Sequence, residues 1–146
     1  MILRVLILVA LLMPVTGCES PKKKKDKKTP PANEKQDQSN DVGFQSFIGR
    51  LNKAVAAHDS STLATMMTPN FGYRLEPPGE GDGVFQYWDQ NNLWPTLLST
   101  INQQFAPKGN FMVAPSQFAF DPQFSGYRAG ITRLNGSWRF AYFVKD

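Results

Sequence analysis

The sequence predicts an α+β domain in which helices come first along the chain and an antiparallel sheet follows them. Apolar residues recur mainly with the period of a helix between positions 42 and 105, and with the period of a strand from position 111 onward. An Asn-Gly pair at 135–136 lies between two strand-like runs and favours a two-residue hairpin turn. We expect the helices to cover one face of the sheet, because they are the only cover that the domain offers.

Composition places this domain in the second part of the chain. Of 146 residues, 41% are hydrophobic and the formal charge is +4. All eighteen aromatic residues lie within 42–146, where eight Lys or Arg and seven Asp or Glu leave a net charge of +1. The excess positive charge lies before the domain, so we expect no nucleic-acid partner. One Cys and one His exclude a disulfide within the chain and a structural zinc site, and we expect no metal or cofactor.

Residues 1–17 have the pattern of an export signal. Arg4 precedes an apolar run over 5–13, which is shorter than the roughly 20 apolar residues of a membrane span. The run leads to Val15-Thr16-Gly17-Cys18, which resembles the lipobox of bacterial lipoproteins. The resemblance implies that the chain is cut before Cys18 and that acyl chains on this residue attach the protein to a lipid bilayer. An ordinary signal peptide with an incidental Cys is the alternative.

The residue after Cys18 indicates which membrane a lipoprotein of this kind occupies. Among Gram-negative lipoproteins an Asp at that position favours the inner membrane, and this chain has Glu19 instead. The resemblance therefore implies a lipid anchor in the cell envelope, in the outer membrane if the cell is Gram-negative.

Residues 18–41 are predicted to be a lipidated, disordered tether. The stretch over 20–41 has no aromatic residue and Ala32 as its one apolar residue, so it cannot bury enough surface to offset the entropy of ordering. Six lysines within 22–28 either lie against anionic lipid headgroups or keep a solvated spacer extended.

The domain over 42–146 begins with two predicted helices. Asn40 or Asp41 can cap the first helix, and Asp59 or Ser60 can cap the second. The Thr68-Pro69 pair ends the second helix, because proline cannot donate the helical hydrogen bond. The residues expected to face inward are Phe44, Phe47, Ile48, Leu51, Val55 and His58 on the first helix, and Leu63, Met66 and Met67 on the second.

The middle of the domain predicts a brief strand, a loop over 76–83, a helical turn over 84–90 and a longer helix that starts near Asn92, with Pro95 in its first turn. The glycines of the loop lack the terminal Lys-Ser/Thr of a phosphate-binding motif. The apolar residues of these elements are Phe71, Tyr73 and Leu75 on the strand, Phe85 and Trp88 on the turn, and Trp94, Leu97, Leu98, Ile101 and Phe105 on the helix.

After position 110 the alternation predicts strands. Phe111 and Val113 mark one, Phe118 and Phe120 mark another, and Pro115 suggests a bend between them. The hairpin turn then sets the register of the last two strands, and an uninterrupted ladder puts Phe140, Tyr142 and Val144 on one covered face. The expected pairs are Leu134–Ser137, Arg133–Trp138 with a cation–π contact, Ile131–Phe140, Ala129–Tyr142 and Tyr127–Val144.

Two stretches resemble the nuclear-transport-factor-2-like superfamily, which includes polyketide-cyclase-type and ketosteroid-isomerase-type proteins. Residues 44–75, FQSFIGRLNKAVAAHDSSTLATMMTPNFGYRL, are similar to its long helix, acidic turn, short helix and first strand. Residues 126–146, GYRAGITRLNGSWRFAYFVKD, are similar to its closing hairpin. The resemblance implies a cone in which N-terminal helices pack on a curved antiparallel sheet. The loop over 76–83 and the stretch over 111–122 are irregular for that pattern.

Related enzymes use an Asp or His inside the cone as a base, aided by a Tyr. The resemblance therefore makes His58 or Asp89 the candidate base and Tyr73 the candidate hydrogen-bond donor. Each has a structural alternative: His58 as a partner of the last helical carbonyls, and Asp89 as a cap or surface residue. Asp121, before a proline, is predicted to form a turn. The aromatic residues that could line a pocket mouth are Tyr73, Trp88, Trp94, Phe118 and Phe120.

The absence of an evident acid–base pair in the sequence favours a binding function. We expect a membrane-anchored lipoprotein whose domain binds a small apolar ligand or an envelope partner without catalysis. The alternative is an isomerase or dehydratase-type enzyme with His58 or Asp89 as its base. A third possibility, a module that binds only proteins, predicts a filled cone and an exposed apolar patch.

Overall fold

The computed structural model describes residues 38–146, so the predicted signal, Cys18 and most of the predicted tether lie outside the described residues. Helices followed by a mostly antiparallel sheet of six strands confirm the predicted α+β class. A turn of 3-10 helix at Gln38–Asn40 precedes the elements. These are α1 Val42–Ala56, α2 Ser60–Met66, β1 Met67–Arg74, β2 Gly79–Glu80, α3 Val84–Gln90, α4 Trp94–Ile101, β3 Ala106–Lys108, β4 Phe111–Ala114, α5 Gln117–Phe120, β5 Tyr127–Leu134 and β6 Ser137–Lys145.

The first two helices begin at the predicted aspartate caps. The side chain of Asp41 accepts a hydrogen bond from the backbone N–H of Phe44 at 2.8 Å. The side chain of Asp59 accepts from the backbone N–H of Thr62 at 2.9 Å and from its hydroxyl at 2.6 Å. These bonds favour the ionised carboxylates. The bond from Phe44 lowers the pKa of Asp41, and the bonds from Thr62 lower the pKa of Asp59.

Because of the two aspartate caps, the free energy of unfolding should depend on pH in the acid range. A folded pKa below the ordinary value of 3.8 means that the stabilisation is present above about pH 4 and is lost as the pH falls through the folded pKa. Asp41→Asn keeps a capping oxygen but has no proton to bind, so we expect its urea midpoint to fall less than that of the wild type between about pH 5 and about pH 2. Asp41→Ala, the control, loses the cap and should have a lower midpoint at neutral pH as well. An unchanged acid slope in Asp41→Asn would contradict this assignment.

The sheet has the strand order β2–β1–β6–β5–β4–β3. Strand β1 lies parallel to β6, and the other neighbours are antiparallel. Helices α1 to α4 contribute their apolar faces to one core with the sheet. The predicted brief strand at 71–75 is longer and starts at Met67, directly after α2. The predicted loop over 76–83 contains the short strand β2, which pairs with β1.

The space between the helices and the sheet is filled by large side chains. Trp88 on α3 is 0% exposed and lies at the centre of an aromatic cluster. Its ring makes edge-to-face contacts with Phe71 on β1 at 5.8 Å, with Trp94 on α4 at 5.2 Å and with Phe143 on β6 at 6.1 Å between centroids. Other fully buried side chains in this layer include Phe44, Leu51, Leu63, Leu97, Ile101, Ile131 and Phe140.

The closing hairpin has the predicted turn. Asn135 and Gly136 both have positive φ, 51° and 79°, as a type I′ turn requires. The predicted pairs hold from Leu134–Ser137 through Ile131–Phe140, and the guanidinium of Arg133 lies 4.4 Å from the centroid of the Trp138 ring.

Beyond that point the predicted register is wrong. A β-bulge shifts the ladder between Gly130 and Ile131, so that Ala129 pairs with Phe143 and Tyr127 pairs with Lys145. The bulge adds one residue to β6, which turns every later side chain to the opposite face. Phe143 therefore enters the core at 1% exposure, whereas Tyr142 and Val144 lie on the face that the helices leave uncovered.

The strand predicted from Phe118 and Phe120 is also wrong. Both residues lie in the short helix α5. The bond between Ala114 and Pro115 is cis, and α5 follows at Gln117. Phe118 is half-buried and Phe120 is 75% exposed.

Candidate binding groove on the uncovered face of the sheet

The three candidate catalytic residues lie near the surface and engage neighbouring groups. His58 is exposed and stacks on the Trp94 ring at 4.5 Å between centroids, with 12° between the planes. Asp89 is exposed, and its carboxylate accepts a hydrogen bond from the indole nitrogen of Trp94 at 2.7 Å. The hydroxyl of Tyr73 donates to the backbone carbonyl of Asp82 at 3.3 Å. The described cavities have other residues in their walls.

His58 and Asp89 therefore contact one buried indole from outside the core. His58 has a positive φ of 52°, and its backbone N–H donates to the carbonyl of Val55, so it closes the turn after α1. Asp89 lies on α3, where its bond to Trp94 ties this helix to α4. Asp121 forms the predicted turn, because its side chain accepts from the backbone N–H of Gln123 at 2.9 Å. Residues 38–146 contain no group of three or more His, Cys, Asp or Glu suited to a metal ion.

The five aromatic residues suggested for a pocket mouth are divided between two faces of the sheet and the solvent. Trp88 and Trp94 are buried core residues, at 0% and 5% exposure. Tyr73 is half-buried beside Tyr87, and Phe120 faces solvent. Of the five, Phe118 lines a described cavity.

That cavity is a groove of about 700 Å³ on the face of the sheet opposite α1 to α4, and α5 contributes Phe118 to its wall. It extends across β1, β6, β5 and β4, all of which contribute residues to its wall. Such a volume is in the ordinary range for small-molecule sites. The apolar residues of its wall are Leu75, Phe111, Phe118, Leu134, Ala141, Tyr142 and Val144, and its other lining residues include Thr68, Asn70, Gly72, Pro78, Glu80 and Thr132.

The Tyr142 side chain forms part of the groove. It lies over Gly130 on β5, where a Cβ atom would overlap the tyrosine ring. The ring also packs edge-to-face against Phe111 at 5.4 Å between centroids. Burial raises the pKa of the Tyr142 hydroxyl to about 12, against the opposing effect of the positive charge of Arg128. Tyr142 therefore stays neutral at physiological pH and offers an apolar ring beside a hydroxyl group.

Three arginines line the groove. Arg74 and Arg128 lie toward one end, where Arg74 donates through Nε to the carbonyl of Pro77 at 2.6 Å. Arg133 lies toward the hairpin end, 3.3 Å from the carboxylate of Asp41. Glu80 is the acidic residue of the same wall. The wall therefore combines apolar side chains with an excess of positive charge.

A second cavity of about 420 Å³ adjoins the groove. The two share Phe111, Thr132 and Arg133 in their walls. The second cavity also touches Trp138 and Gln38, the first described residue. The groove thus continues toward Gln38.

The groove residues on the last strand were missed at the sequence level because the bulge was missed. An unbroken alternation through β6 assigns Tyr142 and Val144 to the core and leaves no apolar cluster on the other face. One signal was available: Thr68, Asn70 and Gly72 lie at alternate positions of β1, with the core residue Phe71 between the last two, and their small side chains leave open space above the sheet.

No protein-family model matches the chain, and no curated protein matches it. Within residues 38–146 no helix combines the length and the hydropathy needed to cross a bilayer.

Gly130→Ala tests the close approach of Tyr142 to the sheet. The added methyl group overlaps the tyrosine ring, so we expect a loss of about 1–3 kcal/mol in the free energy of unfolding, measured by urea denaturation. In the Tyr142→Ser background the same change should cost much less, because the obstructing ring is gone. Gly49→Ala on the exposed side of α1 is the matched control: beyond its chain neighbours and the backbone of its own helix, nothing lies within 4 Å of the added Cβ, and the change should stabilise by up to about 1 kcal/mol. Equal costs of Gly130→Ala in both backgrounds would contradict the contact.

Proposed function

We propose that this protein is a lipid-anchored protein of the bacterial cell envelope whose domain binds a small, elongated apolar ligand without catalysis. The ligand lies in the groove on the uncovered face of the sheet. The observation that carries this proposal is the contrast between the two faces: the helix-covered face is filled around Trp88, and the open face holds a groove of about 700 Å³ with apolar walls.

The proposal includes a nuclear-transport-factor-2-like origin for the domain. Helices that precede a mostly antiparallel sheet are compatible with such a cone. The filled interior distinguishes this chain from proteins of that superfamily that react with a ligand inside the cone. In this proposal the ligand binds instead on the outer face of the sheet.

The position of the candidate catalytic residues favours binding over catalysis. A base and a hydrogen-bond donor act on a substrate when both lie within hydrogen-bond reach of it. His58 stacks on the ring of Trp94, Asp89 accepts from its indole nitrogen, and the hydroxyl of Tyr73 donates to the backbone. An enzyme that used them would need a cavity that joins these groups, and the described cavities are lined by other residues.

A fluorescence titration tests binding in the groove. The protein is the chain from residue 18 onward with Cys18→Ser, which carries no lipid, and the neutral probe is N-phenyl-naphthylamine. We expect saturable binding of the probe and its displacement by dodecanol. The absence of saturable binding would overturn the proposal, and so would capture of an envelope protein on the same face by cross-linking without any binding of apolar ligands.

Lipid attachment has a separate test in the native host. Globomycin, which blocks lipoprotein signal cleavage, should cause the precursor to accumulate, and Cys18→Ser should abolish acylation and membrane retention. Unchanged processing with both treatments would overturn the lipid anchor and leave the groove unaffected.

A further inference from the structure

We propose that the ligand of the groove is a single-chain carboxylate, such as a fatty acid, whose anionic group binds to Arg128. This inference rests on the proposed function, because it names the ligand class of the same groove. It follows from the unsatisfied guanidinium of Arg128, from the charge around it and from the shape of the groove beyond it.

The guanidinium of Arg128 has a donor that the described part of the protein does not use. Its side chain is 13% exposed, and Nη2 donates to a carboxylate oxygen of Asp146 at 2.6 Å. Nη1 is buried and has no hydrogen-bond acceptor among residues 38–146. A buried donor without an acceptor is costly, so an acceptor from a ligand is favourable at this point.

The ring of Phe118 packs against the guanidinium of Arg128 at one end of the groove. The guanidinium carbon lies 4.6 Å from the centroid of Phe118, and Nζ of Lys108 lies 4.5 Å from the same centroid. Lys108 also donates to the backbone carbonyl of Phe118 at 3.0 Å. Because Arg128 is stacked on Phe118 and bonded to Asp146, its planar donors are preorganised for an oxyanion.

The local charge matches a monoanion. Arg128, Lys108 and Arg74 carry three positive charges, and Asp146 and Glu80 carry two negative charges, which leaves one positive charge near this end of the groove. A carboxylate neutralises this charge, whereas the second charge of a phosphate monoester would lie close to the carboxylate of Asp146. The charge therefore favours a carboxylate over a phosphate monoester.

The remainder of the groove fits an alkyl chain. From Arg128 to Leu134 strand β5 advances six residues, about 20 Å at 3.4 Å per residue. Tyr142, Phe111 and Leu134 provide apolar surface along this path. A single chain placed along β5 has its carboxylate at Arg128 and its methyl end toward Leu134.

Paired ligands test the inference. Dodecanoate and dodecanol differ at the head group alone, and both are titrated into the chain from residue 18 onward with Cys18→Ser, in competition with N-phenyl-naphthylamine. We expect dodecanoate to bind at least about tenfold more tightly than dodecanol, because a hydrogen bond between the guanidinium and a carboxylate joins two charged groups and is stronger than one to a hydroxyl group. Arg128→Met should remove this preference by weakening the binding of dodecanoate far more than that of dodecanol. Arg139→Met is the matched control: Arg139 lies on β6 outside the groove and donates to the carbonyl of Thr65, so the preference should persist.

Asp146→Asn provides a second variant at an exposed position. It removes the competing carboxylate from Nη2, so we expect tighter binding of dodecanoate and no change for dodecanol. Weaker binding of dodecanoate to this variant would overturn the inference.

The outcomes separate the two proposals. If both ligands bind the wild type equally and Arg128→Met has no effect, the assignment of a carboxylate ligand is overturned, and the proposal that the groove binds apolar ligands is kept. If neither ligand binds, the proposal that the groove binds apolar ligands is overturned. Stronger binding of phosphatidylglycerol vesicles than of dodecanoate, lost in Arg128→Met, overturns the single-chain assignment in favour of a membrane phospholipid.

Discussion

Trp88→Ala is expected to lower the free energy of unfolding by about 3–5 kcal/mol, because it removes a fully buried indole and leaves a cavity. Four neighbouring rings, on β1, α3, α4 and β6, lose their edge-to-face partner at once. The free energy of unfolding of a small domain is about 5–15 kcal/mol in total, so this one change removes a large part of it. Urea denaturation of the purified protein measures the loss.

Phe120→Ala is the matched control for that change. Phe120 is also a large aromatic residue, but it is 75% exposed, and its removal should change stability by less than about 0.5 kcal/mol. If Trp88→Ala does not fold, Trp88→Phe gives a smaller loss of the same sign. A Trp88→Ala protein as stable as the wild type would show that the helix-covered side of the sheet is not a packed core.

Thr132→Trp is expected to reduce the affinity for apolar probes by more than about tenfold. Thr132 lies on β5 where the groove meets the adjoining cavity, and an indole at this position occupies the space that a ligand would fill. Aromatic side chains are favourable in strands, so the fold should accept the change. Titration with N-phenyl-naphthylamine measures the effect.

Two controls separate blocking from damage. Thr132→Val loses the hydrogen bond from the hydroxyl to the carbonyl of Asn110 but adds no bulk, so it should bind the probe like the wild type. Ser137→Trp places an indole on the neighbouring strand outside the groove, beside Gly136, and should also bind normally. Full probe affinity in Thr132→Trp would contradict the location of the site.

Local signals in the sequence predicted much of the fold. The carboxylates of Asp41 and Asp59 are good caps wherever they precede a helix, and Asn135-Gly136 adopts positive φ at low cost, so these features depend little on the rest of the chain. The order of helices and strands followed because the apolar period changes between 105 and 111, close to where the structure passes from α4 to β3.

The errors arise where a single residue changes the side on which its neighbours lie. The bulge on β6 is opposite Gly130, and no alternation rule marks it, because Phe140, Tyr142 and Phe143 are all apolar enough for a core. Phe118 and Phe120 alternate like strand residues, yet they lie in a four-residue helix that follows Pro115.

The candidate site was therefore predictable only in part. The missing acid–base pair predicts a non-catalytic binding function, which stays a prediction, and the position of the groove on the open face depends on where Tyr142 and Val144 point. The proposed role of Arg128 depends on two residues that it contacts in the folded structure. Phe118 lies ten residues before it in the sequence, and Asp146 lies after the hairpin turn.

Two-dimensional NMR of the chain from residue 18 onward, with Cys18→Ser and with dodecanoate added in steps, tests the central claim most directly. The account predicts shifts that cluster at Phe111, Thr132 and Tyr142 on the open face, while the indole N–H signal of Trp88 stays in place. Large shifts at Trp88 and Phe140, with the open face unchanged, would mean that the ligand enters between the helices and the sheet, and would contradict the account.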